Sequence, residues 1–92
     1  MGYQWTVEYL WFDLEYCDGG TLYEVELRGS DANVRLMTAD EFGAYCDGEA
    51  YEYHGGFYDY TPVVVEVPHD GFWYLVVDAY RDRIKVRYTE VD

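Results

Sequence analysis

Residues 72–80 read Phe72-Trp73-Tyr74-Leu75-Val76-Val77-Asp78-Ala79-Tyr80, and as an extended strand this stretch is apolar on both of its faces. A strand of this kind is usually covered on both sides by the rest of the domain. The preceding Pro68-His69-Asp70-Gly71 predicts a turn, because proline presets φ and glycine tolerates positive φ. We therefore expect residues 72–80 to form the central and most buried strand of the fold.

The segments around this strand alternate with a period of two. In residues 21–27 the side chains of Tyr23, Val25 and Leu27 fall on one face, and two glutamates fall on the other. Such alternation is typical of a strand with one buried face. Residues 84–88 alternate in the same way, so they predict a second strand of this kind.

A similar pattern near the start of the chain places four apolar side chains on one strand face: Trp5, Val7, Tyr9 and Trp11. Shorter strands are predicted at residues 33–37, 51–54, 57–60 and 63–67, and Gly55-Gly56 predicts a turn between the second and third of these. The whole pattern predicts about seven short strands.

One segment departs from the period of two. Thr38-Ala39-Asp40-Glu41 has the sequence of a capping box, and Gly48 is suited to end a helix. Between them, Phe42 and Tyr45 share one helical face. We expect a helix at about residues 39–47, which is too short to persist alone. It should therefore dock onto a sheet, across an open end of the core.

These elements predict a mainly β fold. The architecture is a small antiparallel β-sandwich or flattened barrel with one short covering helix. Residues 1–92 are expected to form a single domain, because a chain of this length has room for one core.

The charge is strongly negative. The chain has 19 Asp plus Glu against 6 Lys plus Arg, a formal net charge of -13 and a calculated pI near 4.2. Nucleic acids and anionic membranes attract basic surfaces, so direct binding to either is not expected. The opening residues 1–5 contain no basic residue, and no apolar run approaches the roughly 18 residues that a membrane span needs, so neither a leader nor a membrane span is expected. We expect a monomer in the bacterial host cytosol, with a basic protein as its partner.

The cations are unevenly distributed along the chain. Residues 1–80 contain 16 acidic and 2 basic residues, whereas residues 81–92 contain 4 basic and 3 acidic residues. Arg83, Lys85 and Arg87 project from one face of the predicted strand, where they either pair with glutamates such as Glu24 and Glu26 or form a local anion-binding stripe.

Catalytic patterns are weak. Ser30 lies in a Gly-Ser-Asp turn, and Cys17 and Cys46 each lie next to an aspartate, which raises a thiol's pKa when a nucleophile needs it lowered. His54 and His69 lack the spacing of a metal site. We therefore expect no enzymatic activity, no metal and no cofactor. Whether the two cysteines pair is left open, because spacing does not place the sulfurs.

A scattered set of residues resembles a known bacterial family. The set is Ala32-Asn33-Val34-Arg35-Leu36-Met37, Phe42, Tyr45, Gly48, Tyr51, Tyr53, Gly55-Gly56, Thr61-Pro62-Val63, Val67-Pro68-His69-Asp70-Gly71 and Trp73. It is similar to a small domain of unknown function that occurs alone or joined to TIR domains of bacterial defence proteins. The resemblance spans roughly residues 20–90 and implies a compact β-rich domain, with no catalytic residues to carry over. The strong acidity of this chain departs from the more balanced charge of that family.

In size, charge and lack of catalytic motifs the chain is also similar to phage anti-CRISPR proteins of the DNA-mimic kind. That resemblance implies a noncatalytic inhibitor that blocks the DNA-binding groove of a basic partner, with a type I Cas surveillance complex as the expected target. Carboxylates held about 5–7 Å apart on a β surface would take the phosphate positions, and tyrosines would pack against Arg and Lys. The residues expected to contact the partner are Glu8, Asp13, Glu15, Asp18, Asp47, Glu49, Glu52, Asp59, Tyr51, Tyr53, Tyr58 and Tyr60.

Two other functions fit the same sequence. One is a sensor module of a TIR-linked defence system that binds a nucleotide-like or sugar-like ligand in a pocket near Gly55-Gly56 and the basic strand. The other is an oligomerisation module, which would form a stable homo-oligomer without other partners.

Overall fold

The computed structural model describes residues 9–49, 54–80 and 84–91. Within them, seven strands form two antiparallel sheets, and one helix follows the third strand. The elements are β1 (Tyr9–Cys17), β2 (Leu22–Arg28), β3 (Ala32–Thr38), α1 (Ala39–Asp47), β4 (His54–Tyr58), β5 (Val63–Glu66), β6 (Gly71–Asp78) and β7 (Lys85–Val91). Sheet A has the order β1-β6-β3-β4 and sheet B the order β5-β2-β7. The predicted mainly β sandwich of about seven strands with one short helix is confirmed.

Strand β6 lies inside sheet A, between β1 and β3. Trp73, Leu75 and Val77 point into the core, while Val76 and Asp78 on the other face are buried as well. The prediction of a central strand buried on both faces is therefore confirmed. The strand ends at Asp78 rather than Tyr80, because Ala79 has a φ of 59°, which leaves the extended conformation.

The core lies between the two sheets. Tyr23, Val25 and Leu27 of β2 face it from sheet B, as the alternation predicts. We call the two ends of the sandwich the Gly71 end, where β6 begins and β1 finishes, and the Asp78 end, where β6 finishes and β1 begins.

The apolar face predicted for the first strand is wrong for its described part. Leu10 and Phe12 pack against the core, whereas Tyr9 and Trp11 lie on the outer face of sheet A. Because α1 covers part of the outer face of sheet A, β1 carries apolar side chains on both of its faces. Alternation alone therefore does not indicate which of the two faces meets the core. Residues 1–8 lie outside the described residues.

The turn predicted at Gly55-Gly56 is also wrong. Both glycines lie within β4, which pairs with β3. Gly55 has a φ of 139°, and a Cβ on it would lie 2.0 Å from the carbonyl oxygen of Val34. The glycine is required for close approach between two strands rather than for a turn. Two strands are predicted here, at residues 51–54 and 57–60. Most of the first, residues 51–53, lies outside the described residues. The second is observed only as far as Tyr58, where β4 ends.

The helix begins and ends as the sequence predicts, but it docks elsewhere. Thr38 and Glu41 form the reciprocal capping box, and Gly48 adopts the left-handed conformation after the last turn. Instead of crossing an open end of the core, α1 packs on the outer face of sheet A, against β3 and β6. This position follows from the aromatic side chains that β1 and β6 present on that face.

Tyr23 gives the core a pH-dependent contribution to stability. Burial raises the pKa of its phenol, and the hydrogen bond with the Cys17 thiol raises it further. Because an unfolded tyrosine ionises near pH 10, the folded state becomes less stable as the pH rises above about 10. We expect wild type to lose stability between pH 8 and pH 10.5 in urea denaturation, and Tyr23→Phe to lose about 0.8 kcal/mol less. Tyr60→Phe, at a tyrosine that is 62% exposed, should behave as wild type, and an equal effect of both changes would contradict the assignment.

Candidate partner-binding surface

A buried hydrogen-bond network fixes α1 on the outer face of sheet A. The carboxylate of Asp78 accepts hydrogen bonds from Asn33 Nδ2 at 3.0 Å, from Arg35 at 2.8 Å and from the Tyr45 hydroxyl at 2.5 Å. Arg35 and Asp78 also form an ion pair whose side chains are only 13% and 7% exposed. The network thereby joins β3, β6 and the helix, and it sets where the carboxylates of the helix point.

Aromatic rings fill the rest of the space beneath and beside the helix. Phe42 stacks on Tyr74, with ring centroids 4.8 Å apart, and Trp11 lies 5.6 Å from Phe42. Tyr9 meets Tyr45 edge to face at 5.2 Å. The Tyr9 hydroxyl also lies 3.4 Å from the Cys46 thiol, and this contact raises the pKa of the Tyr9 phenol. Trp11 stays 52% exposed at the edge of this cluster, because β1 is an edge strand.

A β-bulge adds a further pair of aromatic rings to the same surface. The register of β1 with β6 shifts between Asp13 and Tyr16, and Glu15 has a φ of 60°. The extra residue turns Tyr16 outward beside Phe72, with ring centroids 5.6 Å apart, and returns Cys17 to the core. Tyr16 is 56% exposed and Phe72 is 63% exposed. We call Trp11, Tyr16 and Phe72 the aromatic strip.

Carboxylates surround the aromatic strip at the Gly71 end. Asp13, Glu15, Asp18 and Asp70 are all exposed. Asp13 accepts a hydrogen bond from the backbone NH of Glu15 at 2.8 Å, and Asp70 accepts one from Gly19 at 2.6 Å. These bonds hold the bulge and the two turns next to each other, so three of the predicted contact residues (Asp13, Glu15 and Asp18) lie beside the strip.

Other predicted contact residues lie elsewhere. Asp47 and Glu49 are exposed at the C-terminal end of α1, on the same side of sheet A. Asp59, Tyr58 and Tyr60 lie at the Asp78 end, where Ala32 pairs with Tyr58. The eight residues of β6 separate the two ends by about 25 Å, so the predicted residues form groups rather than one cluster. Glu8, Tyr51, Glu52 and Tyr53 lie outside the described residues.

The group at the Asp78 end borders a cleft. Tyr58 and Tyr60 meet edge to face at 5.7 Å, with Tyr58 half-buried against the core. The cleft has a volume of about 600 Å³ and is lined by Leu27, Gly29, Ser30, Asp31, Tyr58, Asp59, Tyr60 and Thr61. Its polar groups are phenols, hydroxyls and carboxylates, which suit a ligand that carries hydroxyl groups.

Carboxylates lie on both faces of the sandwich, whereas the exposed cations of the described residues lie on one. Among the described residues, the exposed cations Arg28, Lys85 and Arg87 all lie on the outer face of sheet B. Arg87 lies opposite Glu26, as the cross-strand pairing predicts, whereas Glu24 lies opposite Thr89. Arg83 lies outside the described residues.

The outer face of sheet A has a different charge. Its exposed Asp, Glu, Lys and Arg side chains, within the ranges that the structure describes, are all acidic: Asp13, Glu15, Asp40, Asp47 and Glu49, with Asp18 and Asp70 at the adjoining turns. We call these seven carboxylates, together with the aromatic strip, the acidic face. The sequence predicts an acidic protein, but it does not predict that one side of the fold excludes exposed cations.

The thiols, imidazoles and serine are dispersed over the described structure. Both cysteines are free; Cys17 is buried and Cys46 is exposed. The carbonyl of His69 accepts a hydrogen bond from Trp73 Nε1 at 3.0 Å, so His69 has a structural role in its turn. Ser30 donates to the carbonyl of Asp31. Within residues 9–49, 54–80 and 84–91, no group of three or more His, Cys, Asp or Glu side chains is arranged to hold a metal, and no helix has the length and apolarity to cross a membrane.

A comparison with protein families finds that residues 7–90 match a domain of unknown function, DUF1883. The chain belongs to this family. No curated protein and no solved structure matches it. In this DUF1883 member, several residues of the resemblance have structural roles. Arg35 and Tyr45 form hydrogen bonds to Asp78, and Gly48 ends the helix. Gly55 allows β3 to approach β4 closely, and Trp73 is fully buried.

The aromatic strip is the part of the DUF1883 surface that the sequence interpretation did not select. The sequence favours the tyrosines around Gly55-Gly56 instead, because Tyr51, Tyr53, Tyr58 and Tyr60 form the densest tyrosine cluster in the chain. The sequence does indicate that Phe72 lies on the surface, since it is on the opposite strand face from Trp73. The sequence does not indicate that Tyr16 lies on the surface, because only the bulge turns it outward.

Proposed function

We propose that this DUF1883 domain is a noncatalytic inhibitor whose acidic face mimics nucleic acid and occupies the DNA-binding groove of a basic protein. The observation that carries the proposal is the confinement of the exposed described cations to sheet B, which leaves the outer face of sheet A with exposed carboxylates and no exposed cation among its described residues. A partner's Lys and Arg side chains would meet these carboxylates in place of phosphates.

The position of the carboxylates on α1 supports a role in binding. Asp47 is the last residue of the helix, Glu49 follows its C-cap, and the last turn contains no basic residue. A negative charge at a helix C-terminus is unfavourable by about 0.3–1 kcal/mol, because it meets the negative end of the helix dipole. Fold stability therefore does not account for these two carboxylates, whereas an electrostatic interaction with a basic groove does.

The expected target is a type I Cas surveillance complex, by analogy with acidic anti-CRISPR proteins of similar size. The test is competition between this protein and target DNA for the purified complex at 50 and 500 mM NaCl. We expect displacement of DNA at low salt and at least a tenfold weaker affinity at high salt, because salt screens the exposed charges.

Two matched variants test whether the acidic face is responsible. The triple change Glu15→Gln, Asp47→Asn, Glu49→Gln should lower affinity about tenfold or more, since exposed ion pairs contribute up to about 1 kcal/mol each. The control triple change Glu24→Gln, Glu26→Gln, Glu66→Gln lies on the outer face of sheet B and should change affinity less than threefold. Each variant changes the net charge from -13 to -10 by removing three carboxylates.

Equal losses in the two variants would show that total charge, rather than the acidic face, drives binding. Simultaneous binding of DNA and this protein to the complex would contradict mimicry.

The cleft at Tyr58 and Tyr60 favours a second candidate, a sensor module for a small ligand. The cleft lies at the end of β4, beyond the predicted position near Gly55-Gly56, and none of the described lysines and arginines lines it. Its phenols and carboxylates suit a sugar-like ligand better than a phosphate-bearing nucleotide. A higher melting temperature with sugars, together with no binding to the basic complex, would favour this function over inhibition.

A further inference from the structure

We propose that the aromatic strip makes the acidic face selective for arginine over lysine, so that the partner segment it binds is arginine-rich. This inference rests on the proposed binding of a basic partner and names the side chain that is recognised. The strip consists of Trp11, Tyr16 and Phe72, which are 52%, 56% and 63% exposed.

The strip is built into the sheet rather than carried on a loop. Tyr16 and Phe72 are register partners on β1 and β6, and Trp11 lies on the same outer face of β1. Trp11 packs against Phe42 and Tyr74, which orients its ring from beneath. Because these rings are held by neighbouring strands, binding a partner costs little side-chain entropy.

The β-bulge places Cys17 in the core and Tyr16 on the outer surface. It places Glu15 at a φ of 60°, a conformation that non-glycine residues adopt at a cost of about 1 kcal/mol or more. The result is a second exposed ring beside Phe72, with Asp13 and Asp18 on either side in the sequence. Bulges that redirect a side chain in this way are common next to functional sites.

Charge complementarity identifies the occupant. Within the part of the chain that the structure describes, the exposed charged residues around the strip are Asp13, Glu15, Asp18 and Asp70, all acidic. A second copy of this face and an anionic lipid surface would both be repelled by them. A guanidinium group stacks flat on an aromatic face while its forked NH groups reach neighbouring carboxylates. An ammonium group also contacts the ring or a carboxylate, but it has neither the planar stacking nor the fork.

The experiment compares two peptides of equal charge, an octa-arginine and an octa-lysine, by fluorescence anisotropy at 50 mM NaCl. We expect wild type to bind octa-arginine about tenfold more tightly. Phe72→Leu and Tyr16→Leu should each reduce affinity for octa-arginine about two- to fivefold, as expected for one exposed cation–π contact, and reduce affinity for octa-lysine by a smaller factor. Phe57→Leu is the matched control, because Phe57 is 58% exposed on the opposite edge strand of sheet A, and it should leave both affinities unchanged.

A nuclear magnetic resonance titration gives a readout at the strip itself. The indole NH signal of Trp11 should shift with octa-arginine, whereas that of Trp73, which is buried and bonded to the His69 carbonyl, should not. Comparable effects of Phe57→Leu and Phe72→Leu, or equal affinity for the two peptides, would overturn arginine selectivity while salt-sensitive binding stayed intact. Absence of binding to both peptides would instead contradict the proposed function, and a concentration-dependent dimer blocked by Phe72→Leu would assign the strip to a second copy.

Discussion

Replacing Asp78 with alanine is expected to lower the free energy of unfolding by about 3–5 kcal/mol, which is the usual effect of removing one partner of a buried ion pair. The carboxylate is 5% exposed and accepts hydrogen bonds from Asn33, Arg35 and Tyr45. In the variant, the positive charge of Arg35 stays beneath α1 and no longer has the Asp78 carboxylate beside it. Since small domains have stabilities of about 5–15 kcal/mol, this loss is a large part of the total. Urea denaturation followed by far-UV circular dichroism at pH 7 measures it.

A double variant separates the uncompensated charge from the loss of packing. Arg35→Met combined with Asp78→Leu removes both charges and fills the site with apolar atoms, so we expect it to be more stable than Asp78→Ala alone. Asp59→Asn, at an exposed carboxylate, should change stability by less than about 0.5 kcal/mol. If Asp78→Ala unfolded at the urea concentration of Asp59→Asn, the network would not be what fixes the helix.

Trp73→Ala is the second change with a large expected effect, a loss of about 3–5 kcal/mol in the free energy of unfolding. The indole is fully buried, lies 5.0 Å from the His69 ring and donates a hydrogen bond to the His69 carbonyl. Removing it leaves a cavity in the core and an unpaired carbonyl in the turn before β6. We expect the melting temperature to fall by more than about 12 °C.

Trp11→Ala provides the matched control for Trp73→Ala. Both changes remove an indole from sheet A, but Trp11 is 52% exposed. Its loss should lower stability by about 1 kcal/mol, because a half-exposed ring contributes mainly through contacts such as those with Phe42 and Tyr74. Equal destabilisation by the two changes would contradict the assignment of Trp11 to the surface.

The contacts of Asp78 and Trp73 also position the acidic face. Asp78 holds α1, which presents Asp47 and Glu49, while Trp73 holds the turn that presents Asp70. Variants that damage them are therefore expected to weaken partner binding through loss of structure. The triple variant of the acidic face and the leucine variants of the strip avoid this difficulty, because they change exposed side chains.

The sequence by itself determined the local elements of this protein. The apolar stretch at β6, the alternation in β2 and the capping box at Thr38 each depend on residues a few positions apart, whose relative directions are set by backbone geometry. Composition likewise determined the excess of negative charge.

The tertiary structure decided which surfaces those elements cover. Leu10 rather than Trp11 faces the core, Gly55 lies within a strand, and Tyr16 turns outward at a bulge. It also placed Asp78 next to Tyr45, 33 positions away, and collected the exposed described cations on sheet B. Local patterns do not reveal these outcomes, because when both faces of a strand are apolar, only packing between distant segments selects the face that is buried.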